Sequence, residues 1–249
     1  VIIRNARNIT LDGLFMVSDV TGNVKDNALE IDINNSKWDM IPMAAIKDAN
    51  IVVKNSTIGS SGFTGLHASG YDGITFINNN FEAVFDGKDG NATTWGASAK
   101  FIRCKNIKFM RNNFRGDHAT LVWLQESTDA VFMNNVFWNT NQYQGRCAAI
   151  RLVSQFGLPV SNMGFYYNTL YLADNEVNAY KYDFLHFGQQ HSSIGHYPDS
   201  YTNIEFMYNN AYSYDTDIPG RNNNADAFLG IDVTTKFPYF CKNNFWSEY

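Results

Sequence analysis

Charge is scarce in this chain. Only 17% of its 249 residues are Asp, Glu, Lys or Arg, and together they leave a net charge of −5. That balance argues against a nucleic-acid partner, whose phosphates would demand a basic face. Cysteine is almost missing. Cys104, Cys147 and Cys241 stand far apart without any CxxC spacing, and they fall at different points of the repeat described below. They are therefore read as buried apolar residues, with neither stacked disulfides nor a thiolate metal site expected. No run is long and apolar enough to cross a membrane. Capping elements and a signal peptide are also missing: Val1-Ile2-Ile3 leads almost directly into the first repeat, and Phe245-Trp246 closes the last. The expectation is a single domain over 1–249, a fragment without its end caps.

What the chain does have is a repeat, seen most clearly in Asn106-Ile107-Lys108-Phe109-Met110-Arg111-Asn112-Asn113-Phe114. Counted from Ile107, apolar residues stand at the start, two on and seven on, and an Asn stands five on. The frame recurs as Ile74/Phe76/Asn79/Phe81, Ala130/Phe132/Asn135/Phe137, Met163/Phe165/Asn168/Leu170 and Ile204/Phe206/Asn209/Ala211. Pro238/Phe240/Asn243/Phe245 fits with a proline in the first slot. Two earlier copies keep the apolar slots and lose the Asn: Ile51/Val53/Ser56/Ile58 and Ile9/Leu11/Leu14/Met16. Copies follow one another at 42, 23, 33, 23, 33, 41 and 34 residues, a minimal unit of 23 with insertions.

Apolar residues two apart mark a strand, and the polar pair between two such strands marks a bend. Short-strand repeats of this length indicate a solenoid whose coils bury their inner faces on one another. Coils stacked about 4.8 Å apart would bring the Asn side chains into an internal ladder. In these residues the chain resembles the right-handed parallel β-helix superfamily, the pectate-lyase-like proteins. The fold class expected is all-β, a β-solenoid of about eight coils. The resemblance implies architecture and little about activity, since the superfamily holds polysaccharide lyases, glycoside hydrolases, pectin esterases, tailspikes and adhesins.

The motif supplies the second and third strands of each coil, and the remaining apolar runs supply the first. Candidates are Ala44-Ala45-Ile46, Leu66-His67-Ala68, Phe101-Ile102, Val122-Trp123-Leu124, Ile150-Arg151-Leu152, Leu185-His186-Phe187 and Leu229-Gly230-Ile231, with Leu29 to Ile33 undecided. If the aliphatic residues face inward, one outward column reads His67, Lys100, Trp123, Arg151, His186 and Asp232. Insertions at 82–98, 138–147, 173–182 and 213–226 precede that strand, and 154–161 and 188–203 follow it. Loops on both sides would wall a groove over it, and the resemblance places the substrate site of β-helix enzymes there.

An aromatic residue amid hydrogen-bonding groups suits a sugar, and cations suit a uronate or sulfated glycan. Trp123 would stack on the substrate, with Trp95, Tyr143 and Tyr182 reaching in from the loops and Asp232 at the far end. A polysaccharide lyase would use Lys100 as base, Arg151 to neutralise the uronate carboxylate, and His67 or His186 to assist. Ca²⁺ would serve the same neutralising role, but no acidic cluster stands on this face, and Asp86, Asp89 and Asp117 read as turn residues. A glycoside hydrolase needs two carboxylates about 5–10 Å apart. Glu30 with Asp32, Asp117 beside His118, and Asp183 near His186 are the pairs on offer. An esterase would need an aspartate pair that is not found. The alternative to catalysis is a glycan-binding, adhesin-like or tailspike-like module. In either case the protein would act on a polysaccharide outside the cell or at its surface. Arg115-Gly116-Asp117 is set aside as a short turn between strands, and His191 with His196 as a solvated loop.

Overall fold

The computed structural model describes residues 1–18, 27–33, 41–60, 64–83, 97–116, 120–139, 147–173, 182–188, 201–214, 227–231 and 239–248. Its strands fall into eight successive triplets. The first coil is β1 (Ile2–Arg4), β2 (Ile9–Asp12) and β3 (Phe15–Ser18); the second is β4 (Leu29–Asp32), β5 (Ile51–Lys54) and β6 (Thr57–Ser60). The third is β7 (Thr64–Ser69), β8 (Asp72–Ile77) and β9 (Asn80–Ala83), and the fourth is β10 (Ala97–Ile102), β11 (Lys105–Met110) and β12 (Asn113–Gly116). The fifth follows with β13 (Thr120–Gln125), β14 (Thr128–Met133) and β15 (Val136–Asn139), the sixth with β16 (Cys147–Val153), β17 (Val160–Tyr166) and β18 (Thr169–Ala173). The last two are β19 (Tyr182–Gly188), β20 (Tyr201–Met207) and β21 (Asn210–Tyr214), then β22 (Ala227–Ile231), β23 (Tyr239–Cys241) and β24 (Asn244–Glu248).

First strands pair only with first strands, second with second and third with third, giving three parallel eight-stranded sheets, here A, B and C. That connectivity is a parallel β-helix. The expected eight coils are present. One expected strand is not: Ala44-Ala45-Ile46 lies in a turn, tied to the coils by an isolated bridge from Ile46 to Tyr71 and by a hydrogen bond from Ala44 N to Arg103 O. Leu29–Asp32 takes its place in sheet A, paired with β1 and β7. The cleaner alternation of Leu29 and Ile31, both fully buried, outweighs a small apolar run whose Ala44 holds a left-handed φ of 45°.

The core is a set of ladders. Phe76, Phe109, Phe132 and Phe165 stack at centroid distances of 4.8, 4.7 and 4.9 Å. Phe81, Phe114 and Phe137 form a second stack at 4.5 and 4.8 Å. Between these ladders, at the bend from sheet B to sheet C, runs the expected Asn ladder. The Nδ2 of Asn79 donates to Oδ1 of Asn112, and so on through Asn135, Asn168, Asn209 and Asn243, at 2.9–3.1 Å. Each Nδ2 also donates to a carbonyl of the coil before, as Asn112 does to Phe76 O at 3.1 Å. Each Oδ1 accepts the backbone N–H of the ladder residue in the preceding coil, as Asn135 does from Asn112 at 2.8 Å. In coil two Ser56 stands in: its Oγ accepts from Leu14 N and donates to Lys54 O. The ladder explains why a tight bend is tolerated. The residue before each Asn holds positive φ, at Asn78, Arg111, Asn134, Tyr167, Tyr208 and Lys242. Such a conformation costs about 1–2 kcal/mol for a residue other than Gly, and the ladder bonds offset it.

Candidate functional site

Sheet A brings the expected column into register. Across coils two to eight the same position is Glu30, His67, Lys100, Trp123, Arg151, His186 and Gly230. The flanking residues Ala99, Phe101, Val122 and Leu124 belong to the main core, so alternation turns Lys100 and Trp123 to the outer face. In β22 this position belongs to Gly230, and Asp232 lies outside the described residues. Glu30 holds the position in coil two, which the sequence had left without an occupant.

The geometry around Trp123 is that of a cation sandwich. Lys100 Nζ lies 4.4 Å and Arg151 Cζ 4.6 Å from the centre of its rings. The two cations thus sit one coil to either side of one indole, whose negative faces attract both. Trp123 also packs with Ala97 and Val153 in a small apolar cluster apart from the main core. An open groove was expected here, and the structure differs. Lys100 and Trp123 are both 0% exposed, while Arg151 and His67 are partly covered. Alternation can assign a side chain to the outer face of a sheet but cannot tell whether anything lies over that face.

Burial sets the electrostatics. It lowers Lys100 from its ordinary 10.5 to about 7, and the positive charge of Arg151 adds to the shift. His67 is held down to about 4 by burial first and by Lys100 second, with Asp32 acting weakly in the other direction. Near neutral pH, then, His67 is uncharged and Lys100 is close to its midpoint. A lysine so placed can give up or take a proton at physiological pH, as a general base must.

Of the expected carboxylates, the described pair is engaged elsewhere. Glu30 and Asp32 are both bound by Arg4, at 2.8 and 3.1 Å, which places them in a surface ion cluster at the first two coils. Asp183 lies in β19, two positions before Leu185. Asp86, Asp89, Asp117, His118, His191 and His196 lie outside the described residues, as do Trp95 and Tyr143. Tyr182 and His186 are placed by backbone register alone, opposite Cys147 and Arg151. Among the described residues no three His, Cys, Asp or Glu side chains converge as metal ligands. Cys104 is buried, and that burial pushes its thiol up to about 12. Arg115 and Gly116 end strand β12 and do not form a turn between strands.

Sheet C carries a second outward surface, which the sequence reading missed. One column there is Glu82, Arg115, Trp138, Tyr171 and Tyr212, continued by Trp246 in backbone register alone. Trp138 lies 5.0 Å from Tyr171 and is tilted 57° to it; Tyr171 and Tyr212 are stacked 5.2 Å apart. On the adjacent bend Tyr167 and Tyr208 stack at 5.1 Å. Trp138, Tyr167 and Tyr208 are 43%, 55% and 37% exposed. The signal was in the repeat itself, one residue past the last apolar slot and one residue before the Asn, at positions outside the apolar and Asn slots of the motif.

No protein-family profile and no curated protein sequence matches the chain. Two solved structures of PfbA, a surface adhesin of Streptococcus pneumoniae, are similar to it. One is 8% identical, covering 78% of this chain and 67% of that one, with a TM-score of 0.34. The other is 9% identical, covering 98% and 72%, with a TM-score of 0.31. Likeness at this level bears on neither fold nor role, and the β-helix assignment rests on the sheet topology.

Proposed function

We propose that this chain is a non-catalytic glycan-binding module of the pectate-lyase-like β-helix type, acting outside the cell or at its surface. The observation that carries the reading is the burial of the sheet A column. A polysaccharide needs an open trough along several coils, and at the position where a β-helix enzyme would offer one, Lys100 and Trp123 have no exposed surface. With Arg4 bound to both Glu30 and Asp32, the nearest carboxylate pair is poorly placed for acid–base work. What remains is a stiff ribbon of stacked coils with exposed aromatic residues, a form suited to presenting a surface.

One observation favours a second reading, a polysaccharide lyase whose site is closed in this conformation. Lys100, with its pKa near 7 beside Arg151, has the base strength that removal of a proton next to a uronate carboxylate requires. The two readings part in one assay. The protein is incubated with polygalacturonate and with alginate, following the ultraviolet absorbance of unsaturated uronates and the release of reducing ends, alongside retention on the same polymers. Retention with neither product is the expected outcome. An absorbance rise that Lys100→Met abolishes would replace the binding reading with the lyase.

A further inference from the structure

We infer that the outer face of sheet C in coils four to eight is a docking surface for an anionic polysaccharide. This rests on the binding reading above and gives it a location away from sheet A. Two aromatic rails run along this face. One is Trp138, Tyr171 and Tyr212, and the other is Tyr167 and Tyr208 on the neighbouring bend. Between the rails the outward positions are Val136, Thr169 and Asn210, all exposed, so hydrogen-bonding groups lie along most of the middle of an aromatic track.

Charge decides the class of occupant. The chain as a whole carries −5, yet this face is edged by cations. Arg115 lies 5.8 Å over Trp138 at one end, and Lys242 lies 5.4 Å over Tyr208 at the other. Arg111 occupies the bend position one coil before Asn134. Among the described residues of this column the acidic one is Glu82, one coil before Arg115.

The ring geometry points the same way. Tyrosines stacked along the solenoid lie against one another face to face, so they turn their electropositive rims toward solvent. Carboxylates or sulfates are favoured beside such rims and beside the cations. Trp138, tilted 57° from its neighbour, breaks the stack, and the 43% of it that is exposed offers apolar ring surface to a sugar's C–H groups beside Arg115. An unbranched chain of sugar rings along the solenoid axis would meet a repeat of the same contacts at each coil. Among the described residues three cations edge the track, and the net charge of the protein is negative, a balance that does not suit the dense phosphates of a nucleic acid.

The test is affinity electrophoresis of the whole chain through gels containing polygalacturonate, dextran sulfate or neutral dextran. It compares the parent with Trp138→Ala/Tyr208→Ala and with Arg115→Gln. All three residues are exposed, so the fold should survive, as circular dichroism will verify. Retention by polygalacturonate or dextran sulfate but not by dextran is expected, with at least a tenfold weaker apparent affinity in the aromatic variant. Which polymer is retained tells carboxylate from sulfate. Arg115→Gln should weaken retention and reduce its sensitivity to salt. Retention unchanged in the aromatic variant would overturn the sheet C site while leaving the binding reading intact. A parent that retains on no polymer would overturn both. A concentration-dependent dimer that the aromatic variant loses would mean a second copy covers this face, which also overturns the proposal.

Discussion

Lys100 is the residue at which burial and charge conflict most sharply. Its ammonium has no exposed surface and lies across one indole from the guanidinium of Arg151. The consequence for stability has a definite sign. Below about pH 7 the lysine is charged in the folded and unfolded chain alike, and the burial penalty acts in full. From about 7 to 10.5 the unfolded chain keeps a proton that the folded chain has released, so stability rises with pH, by at most about 1.4 kcal/mol per unit. Replacing Lys100 by Met should therefore raise stability by about 2–4 kcal/mol near pH 6, once the lost cation–π contact is allowed for. The difference should vanish by about pH 10. His67 adds a slope of the same sign in a more acidic window. Its folded value of about 4 against an ordinary 6.5 means stability is lost as pH falls through that window, and His67→Gln should flatten it. Urea midpoints measured across this range are the check. Parallel profiles for the parent and Lys100→Met would show that Lys100 titrates normally.

At the scale of the element, the B-to-C bend depends on a polar ladder inside an apolar core. Asn135 is 1% exposed. It accepts from the backbone N–H and the Nδ2 of Asn112, and it donates to Phe109 O and to Asn168 Oδ1. Asn135→Ala leaves several of these groups without partners where water cannot reach. At about 1–3 kcal/mol per buried orphan, tempered by relaxation, the expected loss is about 3–5 kcal/mol. Serine should recover part of it, as Ser56 does in coil two by taking the same backbone role. Thermal or urea unfolding of the three proteins measures this. A loss below about 1 kcal/mol for Asn135→Ala would mean the ladder contributes little beyond shape.

At the scale of the molecule, contacts run from coil to coil, as the uninterrupted order of all three sheets requires. Stability in such an arrangement is a sum of coil and interface contributions. Ile51 and Ile74 are register partners 23 residues apart, so removing residues 51–73 excises one turn and leaves the following coil in phase. Asn79, whose Oδ1 now accepts Ser56 N, would then lie over Leu14. The shortened chain should fold, with the β-sheet circular dichroism per residue unchanged and a lower unfolding midpoint than the parent. Aggregation, or loss of that spectrum, would show that the coils do not act as exchangeable units.

The repeat of apolar slots and Asn carried nearly all of the fold, because a solenoid writes its period directly into the chain: every coil must present the same inward residues at the same offsets. Ile107, Phe109, Asn112 and Phe114 state the inner wall and its ladder without reference to any distant segment. The outward column from His67 to His186 was legible for the same reason, since strand alternation is local. Strand choice in coil two was less so, because Leu29–Asp32 and Ala44-Ala45-Ile46 both carry short apolar runs, and only pairing with Ile2–Arg4 and Thr64–Ser69 separates them. Whether Lys100 and Trp123 meet solvent, which cation lies beside Lys100, and which aromatic residues stand side by side on sheet C depend on segments far apart in sequence. Those were settled only by tertiary structure, because exposure and proximity belong to the packed molecule, whereas periodicity belongs to the chain.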